Sequence, residues 1–271
     1  MADRYHGETL ASRGIGMLWD NFLDGIAEVG RVSLLVFETF RTMGHGIRSY
    51  RRIVDEMHAI GVQSLMLVLI VSLFTGAVAA VQAAYQFSNV VPLKFISSVI
   101  LRSVIIELGP VLTALIIGGR VGASIAAELG TMRVTEQIDA LETMAIPPVR
   151  YLILPRFIAT TVMLPVITVF ANFVAVAGGF VVAAMVFDQS GHTYFEAVRN
   201  TFEPKDLYSG LTKAGVFGAV IGLMGSFYGF NTQGGAEGVG LATTRAVVIS
   251  SVLILISDYF MTLALLPFMN G

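Results

Sequence analysis

Five stretches of this sequence, at about 62–82, 93–127, 152–187, 208–230 and 245–268, stay apolar for longer than a soluble core can use. Hydrocarbon in a bilayer is roughly 30 Å thick and a helix rises about 1.5 Å per residue, so about 20 apolar residues suffice to cross it. Inside hydrocarbon every backbone N–H and C=O must be paired within the protein, which only helices and closed barrels achieve. The stretches are therefore read as five transmembrane helices, and the fold class as an all-α integral membrane protein. The second and third each run for about 35 residues, roughly 52 Å if helical. They must tilt, kink or protrude. Composition agrees: only 13% of the 271 residues are charged, about half the usual fraction of a soluble domain. The 28 glycines suit membrane helices that approach closely.

Several function classes fall away at once. A net charge of -2 gives no sign of a nucleic-acid partner. Zero cysteines remove disulfides, thiolate nucleophiles and Cys-based metal sites together. The first sixty residues scatter seven Arg and eight acids, so no cleaved signal is predicted. Within 1–52, Phe22, Ile26, Val29, Phe37 and Phe40 recur at helical spacing while Asp24, Glu28, Arg31, Glu38 and Arg41 take other positions. That pattern predicts an amphipathic helix lying in the interface, or else one packed on a partner. Gly44 and Gly46 should end it.

Orientation follows the distribution of Lys and Arg in short loops. One side has Arg48, Arg51, Arg52, Arg133, Arg150, Arg156 and Arg245; the other has Lys94, Arg199 and Lys205. The N-terminus is expected in the cytoplasm, with 83–92 and 188–207 as outer loops and 128–151 and 231–244 as inner ones. No internal repeat or linker divides residues 1–271, which read as one membrane domain.

The most informative segment runs from Gly109 to Pro148. Gly118 and Gly122 form a small-xxx-small pair suited to helix packing. After Gly130 the pattern becomes that of a short helix, about 131–146, with Met132, Ile138, Leu141 and Met144 near one face and Glu136, Asp139 and Glu142 as an acidic stripe on another. Pro147 and Pro148 stop it. A short two-faced helix in an inner loop between overlong spans has the shape of a coupling helix, the element on which a nucleotide-binding subunit pushes. A solvated loop helix without a partner has the same pattern.

In this same segment, Ile106-Glu107-Leu108-Gly109-Pro110, Gly119-Arg120-Val121-Gly122, Ala127-Glu128-Leu129-Gly130-Thr131-Met132 and Thr135-Glu136-Gln137 with Met144-Ala145 resemble the signature of the MlaE, or YrbE-type, ABC permeases associated with Mce proteins. Pro155-Arg156-Phe157 and Ala242-Thr243-Thr244-Arg245-Ala246-Val247 match the same family, and the resemblance covers residues 25–268. It implies a homodimeric permease of the bacterial inner membrane, working with a cytoplasmic ABC ATPase and a periplasmic MCE-domain ring to move phospholipid or a related lipid. Where proteobacterial phospholipid transporters of the family have Arg, this chain has Ile106.

Ionisable residues inside spans are costly enough to suggest function. Glu107 falls near mid-membrane, three residues before Pro110, which lacks an N–H and predicts a local opening of the helix. It is expected to face a cavity and contact substrate. Asp258 lies at similar depth, and Lys213, placed with Asp206 toward the outer side, could meet a phosphate or a partner ring. Pairing of these charges with one another, or with Arg102, is the structural alternative. A lipid also requires apolar walls, for which Ala79, Gln82, Tyr85 and Phe87 at the outer end of the first span are candidates. In the fourth span, Ala214, Gly218, Gly222, Gly225 and Gly229 offer a smooth packing face.

No catalytic residue or metal site is expected in this chain. Each of its three lysines, Lys94, Lys205 and Lys213, follows a residue other than Gly, so no Walker A sequence is present. No cofactor is expected either; ATP and Mg should bind the partner ATPase. Two rival classes remain: a membrane-embedded enzyme using Glu107 and Asp258 as a carboxylate pair, and an ion or proton channel component. All four histidines lie outside the spans, leaving the enzyme only carboxylates as metal ligands. A channel needs a polar stripe through several spans, where this sequence has isolated charges.

Overall fold

The computed structural model describes residues 10–44, 50–87 and 96–270, without the side chains of 10–22, 24, 87, 96, 269 and 270. Gly46, Arg48 and Lys94 therefore lie outside the described residues, as do the side chains of Phe22 and Phe87. Every regular element among the described residues is helical. Five helical rods are long and apolar enough to cross a membrane: Tyr50–Gln86, Ser97–Val134, Val149–Phe187, Pro204–Phe230 and Gly235–Phe268. This is an all-α multi-pass membrane protein.

Each rod reaches past its apolar stretch. The first, α2 (Tyr50–Phe87), begins twelve residues before position 62 because its charged first turns continue the same helix. The second is compound: α3 (Ile96–Ser103), a π turn at Val104–Leu108, α4 (Gly109–Ile117), a π turn at Gly118–Gly122, and α5 (Ala123–Val134). Pro110 explains the first π turn. It has no N–H to return to the preceding turn, so the ladder widens and the Gly109 N–H reaches back to the Val104 carbonyl. The opening predicted at this proline is thus a π turn.

Packing centres on α9 (Pro204–Phe230), the most buried of the five, whose small residues face α7 (Leu154–Phe187) on one side and α5 on the other. A Cβ at Gly218 would lie 2.4 Å from the Thr160 carbonyl oxygen, and one at Gly210 would lie 2.2 Å from that of Ile105. Only glycine allows these backbones to touch. The pair Gly118 and Gly122 is different: its nearest neighbour is the Ile221 side chain at ordinary contact distance, and its residues bound a π turn instead.

Two apolar clusters hold the bundle. The larger gathers Val68, Ile117, Leu129, Ile138, Leu164, Phe217, Ile221 and Ile254 from all five rods and the short α6 (Gln137–Thr143). The smaller joins Ala80, Ala83 and Ala84 of α2 to Ile100, Val104 and Ala175, and is roofed by Tyr194. Tyr194 belongs to α8 (Gly191–Thr201), a helix within the loop 188–207 that periodicity alone did not bring out; Ser190 caps it, accepting from the Thr193 N–H at 3.2 Å. Burial pushes the Tyr194 phenol up to about 12, so it stays neutral and donates to the Val176 carbonyl at 3.0 Å.

The amphipathic pattern of 1–52 forms α1 (Leu10–Thr42). It touches the bundle near its end, where Phe40 meets Phe157 edge-on at 5.7 Å, while Ile26, Val29, Leu34 and Phe37 stay exposed.

Candidate functional site

Three span charges converge on one point. The π turn carries Glu107, α9 carries Lys213 on its buried face, and α10 (Gly235–Asn270) carries Asp258 and Thr262 one turn apart. Lys213 Nζ donates to Glu107 Oε1 at 2.6 Å and to Thr262 Oγ1 at 2.8 Å, and lies 3.0 Å from Asp258 Oδ1. Two of the ammonium's three N–H bonds are used in hydrogen bonds, and Asp258 Oδ1, which accepts none among the described residues, is a charge partner. The Lys213 side chain is 0% exposed against 38% for Glu107 and 21% for Asp258. Lysine is therefore the buried counter-ion, and Glu107 the member that faces outward.

Two carboxylates against one ammonium leave the cluster with a net charge of -1 in its fully ionised form. Within a span such an excess is costly. Glu107 offers an acceptor to a polar or cationic group arriving in the membrane, with the buried Lys213 ammonium as its counter-ion. Ile106, beside Glu107, is half-buried and apolar.

Pairing of the span charges with one another, the structural alternative, is what is found, while Asp206, placed with Lys213 toward the outer side, belongs to a different cluster. Seven residues along a helix is about 10 Å, beyond the reach of an ion pair. Asp206 instead lies 3.3 Å from Arg102 Nε, and Arg102 also pairs with Glu203. Arg102 thus belongs to a separate cluster at the end of the bundle that carries α8. Ala79, Gln82 and Tyr85 lie on the side of α2 turned away from the cluster that Ala80, Ala83 and Ala84 enter, with Tyr85 84% exposed. They line the flank of the bundle, apart from the ion cluster.

The short helix is shorter than its sequence pattern. α5 runs unbroken through Gly130 to Val134, so Met132 belongs to the long rod. Gly130 marks a close contact: a Cβ there would lie 2.9 Å from Thr232 Oγ1. Glu136, at φ 60, turns the chain, and α6 follows until Ala145, at φ 57, turns it again. Both residues stand in left-handed backbone that side chains disfavour. Ile138 is buried and Met132 and Leu141 pack against the larger core, which seats the helix on the membrane body. Glu136, Asp139, Glu142 and Met144 remain exposed, with Asp139 paired to Arg133 at 2.5 Å. The face open to a partner is the acidic one; Met132 and Leu141 point the other way.

A second buried ion cluster escaped the sequence reading. Arg156, with its side chain only 7% exposed, lies 3.2 Å from Glu56 and 2.9 Å from Glu128, tying α7 to α2 and α5. An arginine opening an apolar rod was the available signal.

Comparison with known proteins places this architecture. Residues 53–264 match the family described as Permease MlaE. A Rickettsia felis protein named as a probable ABC transporter permease is 42% identical over 234 residues, covering 86% of this chain and 90% of that protein. The intermembrane phospholipid transport system permease protein MlaE of Haemophilus influenzae is 30% identical over 249 residues, covering 92% and 95%. The chloroplastic protein TRIGALACTOSYLDIACYLGLYCEROL 1 of Arabidopsis thaliana is 35% identical over 213 residues, covering 79% of this chain and 61% of the relative. With its signature segments lying in the π-interrupted second rod, the short acidic helix and the start of α10, the chain belongs to the MlaE family of ABC transporter permeases.

Proposed function

We propose that this chain is the membrane subunit of an ABC transporter that moves phospholipid or a related lipid between inner and outer membranes, powered by a separate ATPase. The observation that carries the lipid part is the Glu107–Lys213–Asp258 cluster: an ion cluster within the spans, with Glu107 its exposed member. The cluster supplies a polar contact for a headgroup inside a bundle whose walls are apolar. The names of the Haemophilus and Arabidopsis relatives, one of them a phospholipid transport permease, support the same substrate class.

Energy must arrive from outside the chain, since it contains no Walker A sequence. A cytoplasmic ABC ATPase, binding ATP and Mg, is the partner this requires, and the exposed acids Glu136, Asp139 and Glu142 are its docking surface. A helix held between two strained turns and seated on the core through Ile138 moves as a unit when pushed, and transmits the push to α5. We place the N-terminus and α6 in the cytoplasm of a bacterial inner membrane, following the basic loops. Two copies of the chain and a periplasmic MCE-domain ring complete the assembly implied by the family.

Replacing Glu107 with Gln tests the substrate assignment. The variant should retain its fold and lose most of the phospholipid co-purified with the complex, together with transport. Unchanged lipid content and transport would reduce Glu107 to a structural counter-ion.

A further inference from the structure

Between the start of α2 and the connection from α6 to the third rod lies a cavity of about 630 Å³ walled by Tyr50, Arg51, Arg52, Pro147, Arg150 and Tyr151. Its three arginines are held in different ways. Arg51 Nε donates to the Tyr50 hydroxyl at 3.2 Å. The Arg52 guanidinium stacks 3.2 Å from the centre of the Tyr151 ring, and its Nη1 donates to the Tyr151 carbonyl at 3.4 Å. Arg150 has no hydrogen-bond or ion-pair partner among the described residues. Among those residues no carboxylate lies within 4 Å of any of the three, Asp55 one turn beyond Arg51 included. Arg102, Arg133, Arg156, Lys205 and Lys213 each have an acidic partner, while other arginines such as Arg199 and Arg245 also lack one among the described residues; what sets Arg51, Arg52 and Arg150 apart is that they line one cavity.

The cavity lies where the first and third rods begin, at the end of the bundle that carries α6. Tyrosine at a rod's end marks the headgroup level of a bilayer. Three guanidinium groups with no carboxylate partner among the described residues, gathered at that level, form an anion site, and the planar fork of arginine matches the oxygens of a phosphate. We infer that this pocket holds the phosphate of an anionic phospholipid, as a resident lipid distinct from the one transported. Basic pockets between membrane helices take such headgroups in general. Because one wall is the exit from α6 and the other the start of α2, the bound phosphate ties the two together. The inference does not depend on what the transporter carries.

The complex extracted with its native partners is placed in nanodiscs of phosphatidylcholine, with or without a minor fraction of phosphatidylglycerol, and retained lipid is read by native mass spectrometry. Wild type should retain phosphatidylglycerol, and the double variant Arg51→Gln, Arg150→Gln should retain about tenfold less. The double variant Arg51→Lys, Arg150→Lys should keep most of it, which holds the test open if the glutamine pair folds poorly. Glu107→Gln should leave this lipid in place while altering the transported one, so the two sites fail separately. Three results would overturn the inference: equal retention in wild type and the glutamine variant, displacement of the lipid by inorganic phosphate, or loss of the ATPase subunit with lipid unchanged. The last would make the pocket a protein docking surface.

Discussion

Lys213 hydrogen-bonds Glu107 and Thr262 and forms an ion pair with Asp258, and nothing of its side chain reaches the surface. Removing the lysine leaves two carboxylates together without a counter-ion, which is destabilising although both are partly exposed. Lys213→Met should therefore lower the unfolding midpoint in detergent sharply. The triple variant Lys213→Met, Glu107→Gln, Asp258→Asn should recover most of the loss, because no charge remains buried. If the single variant is as stable as wild type, the cluster does not hold the fold. All three charges were legible in the sequence as interruptions of apolar stretches. Their pairing was one alternative the sequence left open; only the packing of three separate rods, which brings residues 107, 213 and 258 together, decides it.

Glycine decides packing at the level of the element. Gly218→Ala would press a methyl group against the Thr160 carbonyl of α7 and should cost about 1–3 kcal/mol. Gly119→Ala, where a Cβ meets nothing within 4 Å, should leave the midpoint unchanged or slightly raised. Equal effects at the two positions would contradict the close approach of α9 to α7. The glycine periodicity of α9 was readable before any coordinates, and so was the opening ahead of Pro110. α6 starts later than the change of pattern after Gly130 suggested, because α5 continues through that glycine, which accommodates Thr232. Conversely, α8 was hidden because a polar loop helix has no long apolar stretch, although Ser190 and Thr193 stand at capping distance. The acidic surface of α6 carries its own prediction: charge reversal of Glu136, Asp139 and Glu142 together should release the ATPase while the protein stays folded in detergent. An ATPase that stays bound and coupled to transport would remove α6 from the docking surface.

Among the described residues the bundle uses its polar groups sparingly: ion clusters around Lys213 and Arg156, the Arg120 contacts to Ser64 and Gln63, and charged ends. Its first and fifth rods are the least buried, with Met66, Phe74 and Tyr85 exposed on one and Val252, Leu255 and Tyr259 on the other. Those faces meet lipid or the second copy of the chain in the proposed dimer. Membrane class, number of rods and family were legible because hydropathy and a contiguous signature are local properties of the chain. Substrate geometry was not, because it belongs to surfaces made by distant segments. The most direct test is to reconstitute the complex purified through this chain into vesicles loaded with fluorescent phospholipid and to follow its transfer to acceptor vesicles. The proposed function predicts transfer that requires ATP and the co-purified ATPase and falls at least about tenfold, roughly 1.4 kcal/mol, in Glu107→Gln. Transfer indifferent to ATP, or a chain that purifies with neither ATPase nor phospholipid, would contradict it.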